Sequence, residues 1–293
     1  MTRPPLIHVI GEVMVDVIAH TSSPPAPGSD AEASVMDQDG GSAANVAAWL
    51  AELGVPVELI ARVGADAYGD GALARLAAAG VVLSIARDPS QATGRCVVIV
   101  TPDGERTMFP DPGANAHLTD VDTREWRPGE HLHASGYSLL RQGSRAAVLK
   151  SLERARAQGL TVSVDASSEA PLRDLGPEAF LAWLEPGDLL FANAAEAQAL
   201  TGLTEPEEAL DALIARGLLA VVKRGGAGAL AGHGTLRWGV PAIPADARDT
   251  TGAGDAFAAG FLASWTRDRD IEEALRLATR LAARAVTLQG GRP

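Results

Sequence analysis

Arg248-Asp249-Thr250-Thr251-Gly252-Ala253-Gly254-Asp255-Ala256-Phe257-Ala258-Ala259-Gly260-Phe261 is a run of small residues that passes into an apolar helix with one acid in its first turn. Gly252, Ala253 and Gly254 have almost no side chain. A phosphate can therefore approach the unpaired N–H groups of a helix start, where the helix dipole adds partial positive charge. Asp255 would repel that phosphate unless it serves the chemistry, and the role open to it is to accept the proton of a hydroxyl that attacks the phosphorus. The plainer alternative is that Asp255 complements the helix dipole while the glycines form a tight turn. This stretch by itself leaves both open.

Downstream, an Ala-rich helix is predicted from Ile271 to about Leu288, ending in Gln289-Gly290-Gly291. Upstream, Leu218 to Val222 reads as a strand. The glycine-rich Lys223-Arg224-Gly225-Gly226-Ala227-Gly228 before Ala229-Leu230-Ala231 either runs along a nucleotide or is a hairpin turn. Asp188 to Ala192 is a buried strand that hands over to a helix at Asn193-Ala194-Ala195-Glu196. Asn193 and Glu196 have the spacing of helix caps; they are equally able to orient waters on Mg²⁺, which keeps several waters and asks little of the protein directly. Further upstream, strands at Leu160 to Asp165 and His131 to Ala134 flank a helix from Gly143 to Gln158, and a short helix lies at Phe180 to Leu184. This alternation predicts an open parallel sheet, with ligands at the carboxyl ends of its strands.

The first half repeats the rhythm. Leu6 to Ile10 is a strand, Val13, Val15 and Val17 alternate around Asp16, and Thr21 to Ser29 with its prolines is a loop. Gly40-Gly41-Ser42-Ala43-Ala44-Asn45 opens a second glycine-led helix that Gly54 closes. Asn45 offers an amide for sugar hydroxyls or a packing contact, and Asp16 is either a ligand group or an outward strand residue. A strand at Val57 to Ala61, a helix at Gly71 to Ala79 and a strand at Val81 to Ala86 follow. Two adjacent β segments, Gly94 to Thr101 and Glu105 to Pro110, then meet at Pro102-Asp103-Gly104 as a hairpin. With Val13 to His20 and Ala31 to Met36, they predict a small sheet beside the main one.

At 293 residues and 46% hydrophobic residues the chain is long enough for one large α/β domain. No apolar run approaches the ~20 residues of a membrane span. The absence of a signal-peptide pattern predicts a cytoplasmic protein. Cys96 is the single cysteine, which excludes an internal disulfide. The net charge of −12 and the lack of a basic stripe argue against a nucleic-acid partner, so an anionic substrate needs a local site. No glycine run ends in Lys-Ser or Lys-Thr, which disfavours a Walker-type ATPase.

With Asp249 to Phe257 as a C-terminal signature and Gly40 to Asn45 as an N-terminal one, the chain resembles the ribokinase family, the phosphofructokinase-B-type carbohydrate kinases, over nearly its whole length. The order between them also resembles the family: Gly11 with Asp16, Gly64-Ala65-Asp66 with Gly69, Gly104-Glu105-Arg106, Gly113-Ala114-Asn115, Asn193 with Glu196, and Gly225 with Gly228. The resemblance implies a ribokinase-like three-layer α/β/α domain over residues 1–293. Its central sheet is mainly parallel, and a small β-sheet lid is inserted at about 13–36 and 94–110. It implies ATP-dependent phosphorylation of a hydroxymethyl group of a small sugar, ketose or pentose in type.

By the same resemblance Asp255 is the general base and Gly252, Ala253 and Gly254 line the anion hole. Asp16, Gly40, Gly41 and Asn45 bind the acceptor, with Arg106 near the lid. Asn193 and Glu196 position Mg²⁺ through water. Lys223, Gly225, Gly228 and Thr251 lie on the nucleotide side, and the loop Asp249 to Thr251 with the segment before Gly291 resembles a K⁺ site. The family's lid implies a homodimer paired through it. Lys223-Arg224-Gly225 is similar to the loop of the 2-keto-3-deoxygluconate and fructose kinases, but Asp165-Ala166-Ser167-Ser168 lacks their Asp-Pro-Asn and following arginine, which argues against an acidic sugar. Nucleoside kinases of the same family are the alternative. A non-catalytic sugar-binding regulator is a third reading, and it would have little reason to keep Asp255.

Overall fold

The structure is a computed structural model that describes residues 5–119 and 125–293. The chain opens with β1 (Ile7–Ile10), β2 (Met14–Thr21) and β3 (Ala33–Gly40), then α1 (Ser42–Glu52), β4 (Val57–Gly64), α2 (Ala67–Ala78), β5 (Val82–Asp88), β6 (Gly94–Val100) and β7 (Arg106–Asp111). The second half begins with β8 (His131–Ser135), α3 (Gly136–Leu140), α4 (Gln142–Ala157), β9 (Thr161–Asp165), α5 (Glu169–Leu175), α6 (Pro177–Leu181), β10 (Leu189–Asn193), α7 (Ala194–Thr201) and α8 (Pro206–Ile214). It closes with β11 (Leu219–Lys223), β12 (Ala229–His233), β13 (Leu236–Val240), α9 (Ala253–Asp268) and α10 (Ile271–Ala285).

Among the described residues the larger sheet runs β13-β12-β11-β10-β9-β8-β1-β4-β5, parallel from β5 to β11 and antiparallel through β12 and β13. Strand order advances one way from β1 to β4 and β5 and the other way from β8 onward. The crevice therefore opens at the carboxyl ends of β1 and β8, where the order reverses. The smaller sheet runs β3-β2-β6-β7, with β2 and β6 parallel and both outer pairs antiparallel. Asn115 ties the two sheets at their junction: its Oδ1 accepts from the Val13 N–H (3.0 Å) and its Nδ2 donates to the Val13 carbonyl (2.9 Å).

Helices cover both faces of the large sheet. One face buries Trp49, Leu59, Phe191, Phe261 and Leu275 beneath α1, α9 and α10; the other buries Leu132, Val148, Val164, Phe180 and Val222 beneath α4 to α8. α9 is buried from Ala256 to Thr266, so it is apolar all round rather than along one stripe. Its small residues let α10 come close: a Cβ on Gly260 would stand 2.8 Å from Ala278 Cα. Burying a ring such as Phe261, which is fully enclosed, contributes roughly 1.5–3 kcal/mol. This packing fixes the first turn of α9, and with it Asp255, against the sheet.

Some boundaries differ from the sequence reading. The helix predicted from Gly71 begins at Ala67, because Asp66 caps it by accepting from the Gly69 N–H (2.8 Å). β3 reaches Gly40 instead of stopping near Met36, which carries the smaller sheet to the doorstep of α1. The turn Lys223 to Gly228 is a hairpin turn between β11 and β12. α3, α5, α8 and β13 were not foreseen.

Candidate active site

α1 and α9 begin side by side at the crevice. Gly41 caps α1 at φ 92°, and a Cβ there would meet the Glu12 carbonyl at 2.6 Å; Gly252 caps α9 at φ 71°, and a Cβ there would meet Gly291 Cα at 2.4 Å. Both positions require glycine on conformation and on space. Neither helix start carries a side-chain cap, and among the described residues the Gly254 and Asp255 N–H groups of α9 have no backbone partner, although the Ala253 N–H reaches back to the Thr250 carbonyl at 3.3 Å. A cleft lined by such groups suits a phosphate.

Asp255 sits in that first turn with both carboxylate oxygens held. Ser42 Oγ donates to Oδ1 (2.7 Å) and Asn45 Nδ2 donates to Oδ2 (2.9 Å). Ser42 and Asn45 are three residues apart on α1 and so share one face, which is why they converge on a single carboxylate. Enclosure by protein pushes the Asp255 carboxyl up to about 7, against the lowering effect of these two donors and of Lys223. That value suits a group which must take a proton near neutral pH. Each oxygen keeps a lone pair free for a substrate hydroxyl.

Asp16 lies on the inward face of the smaller sheet. Among the described residues it accepts no hydrogen bond, and its oxygens lie against Gly40, where a Cβ would approach within 2.7 Å. Burial raises its carboxyl to about 6, with Arg292 opposing and Asp249 and Asp39 adding to the rise. An acid so enclosed with nothing to accept from is suited to incoming hydroxyls. Beside it, Ile18, Val98, Val100, Met108 and Leu288 wall a cavity of about 330 Å³. Arg106 reaches across from β7, donating to Asp249 Oδ1 (2.8 Å) and Thr251 Oγ1 (2.5 Å). Asp249 also accepts from the N–H groups of Thr251 and Gly290, and these donors hold its carboxyl down at about 2 despite burial. The loop Asp249 to Thr251 and the segment before Gly291 are thereby joined.

On the far side of α9's first turn a larger cavity, about 660 Å³, runs past Gly225, Gly228 and Thr250 to an apolar end at Ile243, Ala282 and Val286. Its polar end is Lys223 and Asn193. Lys223 Nζ donates to Asp165 Oδ2 (2.8 Å) and would stand 3.3 Å from a Cβ on Gly254, so the missing side chain leaves the ammonium beside the anion hole. Burial alone would lower Lys223, but Asp165 and Glu196 lift it above its ordinary value, keeping it charged. Asn193 and Glu196 form a reciprocal capping box: the Glu196 N–H donates to Asn193 Oδ1 (2.9 Å) while Glu196 Oε2 accepts from the Asn193 N–H (2.7 Å). The capping reading of this pair is thus realised, and burial raises the Glu196 carboxyl. Among the described residues no three His, Cys, Asp or Glu side chains gather as a metal site.

Four participants escaped the sequence reading. Ser42 lies within the Gly40 to Asn45 stretch, and its three-residue spacing from Asn45 is the signal in the sequence that the two share a helix face. The Lys223–Asp165 pair and the bonds of Arg292 join distant segments, which local spacing does not reveal. Glu12 is buried and accepts from Ser135 Oγ (2.7 Å) and Ser138 Oγ (2.9 Å), closing the floor of the crevice.

An enclosed carboxylate beside a helix start with no side-chain cap, with a cavity on either side, is an arrangement suited to phosphoryl transfer to an alcohol. The chain belongs to the pfkB family of carbohydrate kinases, whose model matches residues 5–293. It is thus an ATP-dependent carbohydrate kinase with the ribokinase-like α/β fold. It is 37% identical over 273 residues to an ATP-dependent ribose-1-phosphate kinase of Halopiger xanaduensis, covering 91% of this chain and 87% of that one. In structure it is similar to the adenosine kinase of Sinorhizobium meliloti (TM-score 0.87, 27% identity, 100% of this chain and 96% of that one). It also resembles a double-mutant fructokinase of Vibrio cholerae bound to fructose, ADP and potassium ion (TM-score 0.82, 26% identity, 99% and 95%). No described helix is long and apolar enough to cross a membrane.

Proposed function

We propose that this kinase transfers the γ-phosphoryl group of ATP to a hydroxymethyl group of a small sugar of the ketose or pentose type, with Asp255 as general base. The observation that carries this reading is the Asp255 carboxylate, fixed by Ser42 and Asn45 at the edge of the anion hole and poised near neutral pH. The acceptor's O–H proton passes to Asp255, its oxygen bonds to the γ-phosphorus, and the bond from phosphorus to the ADP oxygen breaks in line. Asp16, Asn45 and the backbone at Gly40 and Gly41 orient the acceptor. The N–H groups from Gly252 to Gly254 and the Lys223 ammonium face the charge that develops on the equatorial oxygens.

ATP fits the 660 Å³ cavity, with its base at the apolar end and its phosphates along Gly225, Gly228 and Thr250 toward α9, whereas Thr251, expected on this side, lines the cavity beside Asp16 and is held by Arg106. Mg²⁺ would neutralise phosphate charge near Asn193 and Glu196, held through waters since the capping box occupies much of their capacity. A monovalent cation at the joined loops of Asp249 to Thr251 and Gly290 is supported by their proximity (3.1 Å, Gly290 N to Asp249 Oδ2). The smaller sheet acts as a lid over the acceptor. A cytoplasmic setting suits a reaction that consumes ATP and a chain whose one cysteine, Cys96, is free and buried.

A nucleoside acceptor is the second reading, favoured by the apolar walls of the cavity beside Asp16, which would accept a base. Measuring ADP release with ribose, ribose 1-phosphate, fructose and adenosine separates the two. Turnover with a sugar or sugar phosphate is expected, and turnover with adenosine alone would replace the first reading by the second.

A further inference from the structure

The segment that follows α10 is clamped against the acceptor side. The Gly290 N–H donates to Asp249 Oδ2 (3.1 Å), and Trp49 Nε1 donates to the Gly291 carbonyl (3.0 Å). A Cβ on Gly291 would lie 2.5 Å from Asn45 Nδ2, so this backbone runs directly along the Asn45 amide. Arg292 is thereby delivered into the site with only a tenth of its side chain exposed. Its Nε donates to Asn45 Oδ1 (3.1 Å), its Nη2 donates to the Gly40 carbonyl (2.8 Å), and its Nη1 lies 3.3 Å from Asp39 Oδ2.

An asparagine amide has two chemically different ends, and a guanidinium has no acceptor. With Arg292 on the oxygen, only the NH₂ end of Asn45 is left to face Asp255. Turned over, the amide would set its oxygen against the carboxylate and its NH₂ against the guanidinium, two repulsive contacts for two attractive ones. The neighbourhood is also acidic. Arg292 faces Asp16 on β2, Asp39 on β3 and Asp255 on α9, with Arg75 of α2 beyond Asp39; Asp255 further senses Asp165 and Lys223, and Asp16 senses Asp249 and Asp39.

We propose that Arg292 is a positioning residue of the acceptor site, which fixes the orientation of the Asn45 amide toward Asp255 and supplies the positive charge that keeps the Asp16 and Asp255 carboxylates usable. Burial lowers the guanidinium to about 10, so it stays charged at neutral pH. The role rests on the reading of Asp255 as the base, and it is distinct from contact with substrate: Arg292 acts through Asn45, Gly40 and the local field.

The test uses Arg292→Gln and Arg292→Lys in the full chain. Carboxyl ¹³C titration of labelled aspartates, with Asp16→Asn and Asp255→Asn assigning the signals, needs no acceptor. In Arg292→Gln the Asp16 titration is expected to move to higher pH, and that of Asp255 to follow by a smaller step. With ribose 1-phosphate and fructose as probes, kcat at pH 7 is expected to fall about 10–100-fold while KM for ATP holds. Arg292→Lys keeps the charge but cannot donate in two directions at once, so its titrations stay near wild type while kcat remains lowered. Superimposable titrations in a folded Arg292→Gln protein overturn the proposal. Should that variant not fold, Arg292→Lys decides: a wild-type kcat overturns the orienting role, and a lowered kcat with unmoved titrations supports it. If the wild-type protein phosphorylates neither probe, the sugar reading fails, and the titration still decides on Arg292.

Discussion

The nucleotide-side cavity and the acceptor-side pocket meet at the first turn of α9 but are built from different materials. The nucleotide side is mostly backbone and small residues, with one charged pair in which Lys223 donates to Asp165 and stays protonated. The acceptor side depends on carboxylates whose titration is displaced by their surroundings: Asp255 up to about 7, Asp16 up to about 6 and Asp249 down to about 2. A phosphate can be held by fixed dipoles that never change state, whereas a hydroxyl must be oriented and then deprotonated. The first half should therefore tolerate changes of charge elsewhere, and the second should respond sharply to pH and to single polar substitutions.

The largest effect is expected at the junction itself. Asp255→Asn should leave nucleotide and acceptor binding nearly intact and lower kcat by on the order of 10²–10⁴. It should also alter stability in a way that a structural acid would not. Because the folded-state pKa is raised from 3.8 to about 7, ionising Asp255 costs the folded protein stability as pH rises through that window. The Tm of Asp255→Asn relative to wild type should therefore climb between about pH 4 and pH 7. Near-wild-type turnover by the Asn variant would remove Asp255 from the mechanism, and a constant Tm difference would remove the pKa shift.

How much of this was legible depended on whether the physics was local. The Gly252 to Asp255 and Gly40 to Asn45 stretches could be read because helix starts announce themselves in small residues and caps, and the βα rhythm followed from short apolar runs separated by turns. The positions of Gly41 and Gly252 go further than the sequence suggested, since each is required by a contact from a distant segment, Glu12 in one case and Gly291 in the other. α3 and α5 are single-turn to two-turn helices, too short for a period to show. The engagements of Lys223 with Asp165 and of Arg292 with Asn45 span 58 and 247 positions, beyond any spacing rule. Asn193 and Glu196 were readable as caps and as metal-orienting groups; the capping bonds are present, and the second role awaits a test with metal.

A smaller effect should separate the two halves directly. Asp16→Ala removes the carboxylate proposed to accept from substrate hydroxyls and is expected to raise the acceptor KM by about 10–100-fold with little change in ATP affinity, roughly the worth of one hydrogen bond to a charged group. Calorimetry on the variant checks it. Loss of nucleotide binding with sugar binding kept would mean that the two pockets are assigned the wrong way round.

The pH response sharpens the same contrast. A base at Asp255 must be ionised to take a proton, so on the proposed mechanism kcat/KM for the acceptor should fall about tenfold per pH unit below an apparent pKa of about 7, and level off above it. Nucleotide affinity should change much less across that range, because Lys223, raised above its ordinary value, remains protonated. A profile flat down to pH 5, measured with saturating ATP, would show that the base is not a carboxylate of this kind.

The smallest effect concerns the smaller sheet, which shows its two faces to different surroundings. Its inward face presents Asp16, Ile18 and Val98 to the crevice, while Val35, Val97 and Phe109 on the opposite face are 62%, 43% and 55% exposed. A four-stranded sheet with an open apolar face and two unpaired edges gains little stability alone. The inward face can close on substrate, drawn by the Arg106 bonds to Asp249 and Thr251 that already span the gap. The outward face is suited to the same face of a second chain, since a two-fold pairing would bury Val97 and Phe109 against their own copies. Scattering in solution should therefore report a dimer whose dimensions contract slightly on adding acceptor, and Phe109→Glu should shift the particle toward the monomer mass. A wild-type monomer of unchanged size with and without ribose 1-phosphate would dismiss the pairing and leave the sheet as a fixed wall of the acceptor pocket.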